Sequence, residues 1–524
     1  MMKKRWLKFQ RIILIFVLAA LAVCLPVIIE KTPRIVNKLS RMTKVVEKVF
    51  NWDLNPGSIV ITEATRVQPL PHLHSGPVAG TLRVHDSNPR YFSNESGKLI
   101  YLTGSHTWQN LQDSGGSNPP FSFDYTAYLD FLQVNNHNFL RLWAWEQPRW
   151  SIDSPNDNFW LSPVPYKRVG PELATDGLPK FDLNQYEQAY FDRLRERIVE
   201  AGKRGIYVSV MLFNGWSITG NKGITGGKNP WKSHPFNISN NVNGINGDLN
   251  GDDNGEEVHE LSIPAITTIQ ETYVRKVIDT VGDLDNVLYE ISNESHTNST
   301  QWQYHMIQFI KSYEATKPKQ HPVGMTVGYP DGNNADLFAS PADWISLNGD
   351  VNNPIAADGR KVILADTDHL CGVCSDRQWV WKSFTQGENP LFMDIYDGAF
   401  DLIIEQVPTD PLNYTPWVSL RRNLGYALTY ANRMNLAAMT PHPELVSTGY
   451  CLANPTARNA EYLVYAPSGS KVTVDLSNTL GEIRGEWLNP DNGLVTEGIS
   501  TIGGGRRSFV VPFENDAILY LKSS

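Results

Sequence analysis

From Leu82 onward, short apolar runs alternate with longer stretches whose apolar residues recur every three or four positions. Runs of the first kind read as strands buried on both faces, and stretches of the second kind as helices with one apolar face. Eight runs fit the strand pattern: Leu99–Thr103, Asn138–Trp143, Ile206–Leu212, Val287–Ile291, Val323–Val327, Trp344–Leu347, Val362–Ala365 and Leu391–Asp394. Helical spacing covers Tyr125–Gln133, Gln185–Ala201, Ala265–Val281, Gln301–Tyr313 and Gln378–Phe384, with Leu420–Met434 after the eighth run. The connections after the fifth and sixth runs are weak as helices. Eight such units over residues 81–446 predict a closed (β/α)8 TIM barrel with loop insertions. A doubly wound sheet fits less well, because Thr103-Gly104-Ser105-His106 after the first run is not a glycine-rich phosphate turn.

The pattern changes at both ends. After about Thr448 the helical spacing stops, and Tyr462–Tyr465, Lys471–Leu476, Arg484–Trp487, Ser508–Val511 and Ala517–Leu521 are short strands split by Gly, Asn, Pro and Ser. They predict a small all-β sandwich over residues 447–524. At the other end, Lys3, Lys4 and Arg5 precede an almost uncharged run from Ile12 to Ile29. Residues 1–30 therefore read as a signal peptide or a retained membrane anchor, which places the bulk of the protein outside the cytoplasmic membrane. Residues 31–80 read as a juxtamembrane segment, with a basic amphipathic stretch from Ile35 to Phe50, followed by a turn-rich linker.

Composition narrows the function. The chain is 41% hydrophobic and 11% aromatic, with fifteen tryptophans, whose indole faces suit the C–H faces of a sugar ring. A net charge of −9 argues against a nucleic-acid partner. Cys371 and Cys374 form a lone C-x-x-C without a second ligand pair, so a local disulfide and two thiols are equal readings and a metal site is not expected. Asp248-Leu249-Asn250-Gly251-Asp252-Asp253-Asn254-Gly255-Glu256-Glu257 carries oxygen ligands at alternate positions, as calcium loops do. It departs from the EF-hand pattern, with Asp253 at the turn-glycine position and His259 at position twelve. A solvated acidic loop is the preferred reading over calcium.

In a TIM barrel the chemistry lies at the C-terminal ends of the strands. The first run leads to His106, Trp108 and Asn110, the second to Arg141, Trp143, Trp145 and Glu146, and the third to Asn214 and Trp216. The fourth ends at Asn293 and Glu294, the sixth at Asn348, the seventh at Asp366 and Asp368, the eighth at Asp394. Aromatics for stacking, amides and an arginine for hydroxyls, and several carboxylates suit hydrolysis of a glycosidic bond. One carboxylic acid protonates the leaving oxygen and a second carboxylate acts as nucleophile or base, with no cofactor required. Alone, Asn293-Glu294-Ser295 is an ordinary helix start; after the fourth of eight strands, Glu294 becomes the candidate acid. Asp366 is the first candidate for its partner and Asp368 the second, with Asp394 and Glu146 behind them.

Asn88-Pro89-Arg90-Tyr91-Phe92, Tyr101 through Trp108, Phe139 through Trp143 and the Asn293-Glu294 pair together resemble the apiosidase-like glycoside hydrolases. Those are bacterial barrel enzymes acting on plant polysaccharide side chains. Glu486-Trp487-Leu488-Asn489-Pro490 and Asp516 through Leu521 are similar to the module labelled collagen-binding that often follows such barrels. The resemblance covers about Leu82 to Leu521 and implies a carbohydrate substrate, with Glu294 as acid/base and Asp366 in the nucleophile place. The wider clan of retaining glycosidases usually has Glu there. A shorter Asp widens the gap between carboxylates, so both retention and inversion stay open. Two rival readings remain. One is a non-catalytic carbohydrate-binding surface protein on the same scaffold. The other is a peptidase, for which His259-Glu260 lacks the second histidine of H-E-x-x-H and no G-x-S-x-G elbow occurs.

Overall fold

The structure, a computed structural model, describes residues 66–71, 76–154, 157–220, 228–396 and 408–523. The apolar N-terminal run and the amphipathic stretch after it lie outside these residues. Among the described residues no helix is long and apolar enough to cross a membrane.

Eight parallel strands close into a barrel in sequence order: β1 (Gly104–His106), β2 (Phe139–Leu142), β3 (Tyr207–Asn214), β4 (Val287–Asn293), β5 (Val323–Thr326), β6 (Trp344–Ser346), β7 (Val362–Asp366) and β8 (Asn389–Met393), with β8 pairing back onto β1. The fold is the expected (β/α)8 TIM barrel. Every residue of these strands is buried, which is why they read as unbroken apolar runs rather than alternating ones. The outer helices are α1 (Tyr125–Val134), α2 (Gln188–Lys203), α3 (Pro264–Val281), α4 (Thr300–Glu314), α5 (Asn334–Ala339), α6 (Arg377–Thr385) and α7 (Thr415–Arg433). The connection after β5 is reduced to the short α5, and none of these helices lies between β6 and β7. The barrel floor is closed by ring packing that leaves no room to spare. A Cβ on Gly324 would lie 1.9 Å from the Trp344 ring of the neighbouring strand.

One strand is corrected. The expected first strand, Leu99–Thr103, is displaced by β1 at Gly104–His106. Leu99–Ile100 instead pairs antiparallel with Phe92–Ser93 in a three-stranded sheet outside the barrel. The apolar signal lay on the outer sheet, whereas the barrel strand itself is three residues, two of them polar.

At the C-terminus, β9 (Cys451–Asn454), β10 (Glu461–Ala466), β12 (Glu482–Leu488), β13 (Leu494–Ile502) and β15 (Ala517–Ser523) form a seven-stranded sheet with Arg66–Pro69 and Thr440–Pro441 at its edges. A two-stranded sheet of β11 (Lys471–Asp475) and β14 (Arg506–Val510) covers one face. Strand alternation divides the residues. Tyr462, Val464, Leu519 and Leu521 face the small sheet, while Leu463, Tyr465, Ile518 and Tyr520 join the barrel's own core.

Candidate active site

A cavity of about 470 Å³ opens at the C-terminal ends of the strands. Its walls are largely indole: Trp108, Trp143, Trp145, Trp150 and Trp216, with Tyr329 stacked on Trp216 at 5.9 Å between ring centres. Three carboxylates, Glu294, Asp331 and Asp368, line it together with Asn348 and His369.

Glu294 follows the last residue of β4 at φ +46°, a left-handed conformation that a non-glycine residue adopts only when its surroundings enforce it. The enforcement is visible. Its N–H donates to Thr326 Oγ1 at 3.4 Å, and the carbonyl of the next residue, Ser295, accepts from Tyr329 N–H at 3.1 Å. Gly215 approaches so closely that a Cβ there would lie 2.4 Å from the Glu294 carbonyl oxygen. The side chain is buried, and Trp216 Nε1 donates to Oε2 at 2.5 Å.

Behind the cavity wall sits Arg141, fully buried near the end of β2. A guanidinium has five N–H donors, and all five are engaged. Nε and Nη2 grip Glu290 at 2.9 and 2.6 Å, Nη2 also reaches Asn293 Oδ1 at 2.9 Å, and Nη1 donates to Asp366 at 2.8 Å and Asp368 at 3.0 Å. Asp366 additionally meets His106 Nε2 at 2.9 Å and accepts the backbone N–H of Asp368 at 3.0 Å. Burial opposes its ionisation, but His106 and Arg141 outweigh that and hold its carboxyl well below the usual range. Asp368 behaves oppositely. Burial pushes it up to about 6, with Arg141 pulling down and the Asp366 charge pushing further up. Burial lowers His369 to about 3, so it is neutral: Nε2 donates to Asn293 Oδ1 at 3.1 Å, and Nδ1 accepts from Ser346 Oγ at 2.7 Å.

The expected residues therefore divide. Trp108, Trp143, Trp145, Trp216, Glu294, Asn348 and Asp368 line the cavity. The rest lie behind its walls. His106, Arg141, Asn293 and Asp366 form the buried network just described. Asn110 bridges backbone groups of Arg141 (2.6 Å) and Trp143 (2.8 Å), and Asn214 bonds to the Ala144 carbonyl at 3.1 Å and the Trp216 N–H at 3.0 Å. Asp394 is gripped by Arg421 through Nε and Nη2 at 2.7 and 2.5 Å. Glu146 accepts Asn214 N–H at 2.7 Å and faces His234 and His259, each at 3.3 Å; against the opposing effect of burial, the two histidines hold it at about 2. Trp150, Tyr329, Asp331 and His369 also line the cavity. The first three come from loops with no periodic signal, whereas His369 sits in the short helix Thr367–Leu370 and was visible as the residue after Asp368.

Two further expectations have a structural outcome. Cys371 and Cys374 are joined by a disulfide directly after the short helix Thr367–Leu370 that carries Asp368. The 248–257 segment folds back on itself: Asp248 accepts the N–H groups of Gly251, Asp252 and Asp253, and Glu257 those of Leu249 and Asn250.

Residues 156–333, which carry β3 to β5 and Glu294, match DUF6298, a domain of unknown function. No curated protein matches the chain. Among solved structures, the chain is similar to a candidate glycoside hydrolase from Bacteroides vulgatus (TM-score 0.55, 14% identity, 85% of this chain and 82% of that one). It is also similar to a glycoside hydrolase family 5 structure from the same organism (TM-score 0.51, 12% identity, 85% and 94%). A third, described simply as a glycoside hydrolase, aligns at TM-score 0.50 and 13% identity over 85% and 97%. At these identities the likeness establishes the shared barrel fold.

Proposed function

We propose that the protein is a glycoside hydrolase that cleaves glycosidic bonds of a polysaccharide or glycan side chain, with Glu294 and Asp368 as its working carboxylates. The observation that carries this reading is that both line one cavity walled by five tryptophans and a tyrosine. Such a cavity binds sugar C–H faces by stacking and presents two acids to one bond. Glu294 protonates the leaving oxygen, and Asp368, held toward the cavity by Arg141, serves as nucleophile or base. This moves the second role two residues along from Asp366, whose oxygens are already engaged by Arg141, His106 and the Asp368 amide.

The electrostatics favour a neutral sugar at the cleavage point. Three carboxylates line the wall, and the nearby Arg141 has given all five of its donors to protein acceptors, so it has none left for a uronate. The sequence resemblance to apiosidase-like enzymes supports a plant polysaccharide side chain as substrate, and the apolar N-terminal run supports an exported or anchored enzyme. The test is product analysis on plant and bacterial glycans with wild type and Glu294→Gln. Turnover by wild type that the variant abolishes, with its fold intact, is expected. Equal activity in the variant would remove Glu294 from the reaction, and glycan binding without turnover by wild type would favour a carbohydrate-binding protein instead.

A further inference from the structure

Directly under Glu294 lies a chain of buried polar groups that the reaction itself does not use. Ser295 Oγ is 2.6 Å from Ser292 Oγ and 2.9 Å from His259 Nδ1, and His259 Nε2 lies 3.3 Å from Glu146 Oε1. All four residues are buried. His259 comes from the short helical turn Glu256–His259, inside the long insertion between β3 and α3, and its ring is stacked flat on Trp302 at 4.5 Å and 12°. Glu146 faces one ring nitrogen of His259, Nε2, and the other, Nδ1, bonds to Ser295 Oγ, which is also bonded to Ser292 Oγ. Ser295, the residue after Glu294, is thereby tied both to the insertion and to the end of β4.

We propose that Glu146, His259 and Ser295 are positioning residues that hold the left-handed turn at Glu294, so that its carboxyl stays against Trp216 and aimed into the cavity. The inference rests on the reading of Glu294 as the proton donor. Its physical basis is that a non-glycine residue at φ +46° keeps that conformation only when its neighbours fix it. Ser295 is the next residue, and its side chain is the one tethered to two other elements. A loosened turn would let Glu294 swing away from the bond it protonates while the aromatic walls stay in place. Misplacement of this kind lowers the rate of the chemical step more than substrate binding.

The test compares Ser295→Ala, His259→Gln and His259→Asn with wild type. In His259→Asn the amide can occupy the place of Nδ1 and keep the Ser295 contact; in His259→Gln it reaches the place of Nε2 and loses it. Expected are a fall in kcat of about 10- to 100-fold for Ser295→Ala and His259→Gln with KM nearly unchanged, and partial recovery in His259→Asn. A second readout does not depend on turnover. The indole emission difference between wild type and Glu294→Gln reports the Trp216–Glu294 contact, and it should shrink when measured in the Ser295→Ala background. Wild-type kcat together with an undiminished emission difference in both Ser295→Ala and His259→Gln would overturn the proposal. Loss of the emission difference in a protein whose wild type turns over no glycan would leave the positioning role standing and sink the hydrolase reading.

Discussion

Asp366 and Asp368 lie against the same nitrogen, Nη1 of Arg141, at 2.8 and 3.0 Å, yet they are in opposite electrostatic states. Asp366 also has His106 and a backbone amide and is firmly ionised. Asp368 has the shared nitrogen, burial and a neighbouring negative charge, and it titrates near 6. The two substitutions should therefore fail differently. Asp366→Asn removes the ionised partner of a buried guanidinium and should cost roughly 3–5 kcal/mol in denaturant unfolding. Asp368→Asn should leave stability within about 1 kcal/mol of wild type and lower kcat on the order of 10³-fold. If Asp366→Asn were as stable as wild type while Asp368→Asn stayed active, the roles assigned here would be reversed.

The raised titration of Asp368 sets a pH dependence whose direction identifies its role. As nucleophile or base it must be ionised. The value of kcat/KM should then rise about tenfold per pH unit up to about pH 6 and level off above it. A proton donor would give the opposite limb, with activity falling as pH rises through 6. A kcat/KM profile on one neutral oligosaccharide, repeated in Asp368→Glu to see the limb move, decides between them.

The barrel was legible because its strands are buried on both faces and read as apolar runs; the exception, β1, is short and polar, so the signal fell on Leu99–Thr103 just before it. Strand ends gave the positions of site residues but not their partners. Asp394 and Asp366 occupy equally good places in the sequence, and only packing reveals that Arg421 grips one and that Arg141 and His106 grip the other. The same holds for Asn110 and Asn214, whose amides hold backbone. Trp150 and Tyr329 reach the cavity from irregular loops, where no periodicity marks direction. In the C-terminal sheet, β9 went unseen because Cys451–Asn454 offers only three apolar residues, and β13 because Leu494–Ile502 is broken by polar residues and glycine.

Glu388, immediately before β8, is buried beside a cavity of about 20 Å³ with Leu347, Ile363, Ala365, Leu370 and Trp379, and burial pushes it up to about 8. The native protein holds this proton where the unfolded chain has lost it. The stability it confers is therefore fully present below the ordinary carboxylate range and is lost as pH rises through about 8. Glu388→Gln keeps the shape without the titration. Its stability relative to wild type should rise between acid and pH 8.5 by on the order of 5 kcal/mol. A stability difference that stays constant across that range would show that Glu388 ionises freely in the folded state.

The C-terminal strands should prove inseparable from the barrel. In β10 and β15 alternate residues enter different cores, and Leu463, Tyr465, Ile518 and Tyr520 belong to the one the barrel helices share. Each such side chain contributes roughly 1.5–3 kcal/mol by burial, so exposing them together exceeds the margin of an ordinary domain. Polar ties reinforce the contact. Glu486 accepts from Tyr430 Oη and Arg433 Nη1, both at 2.7 Å, and Asp516 from Arg377 Nη2 at 2.8 Å and Tyr465 Oη at 3.1 Å. Removing residues 447–524 should therefore yield a chain that aggregates or binds hydrophobic dyes, and the intact protein should melt in one transition. Glu486→Ala leaves the Tyr430 hydroxyl and part of Arg433 without their acceptor, and should lower that single transition by several degrees. Two resolved transitions, with the cavity's indole emission surviving the first, would instead establish the barrel as a domain that folds alone.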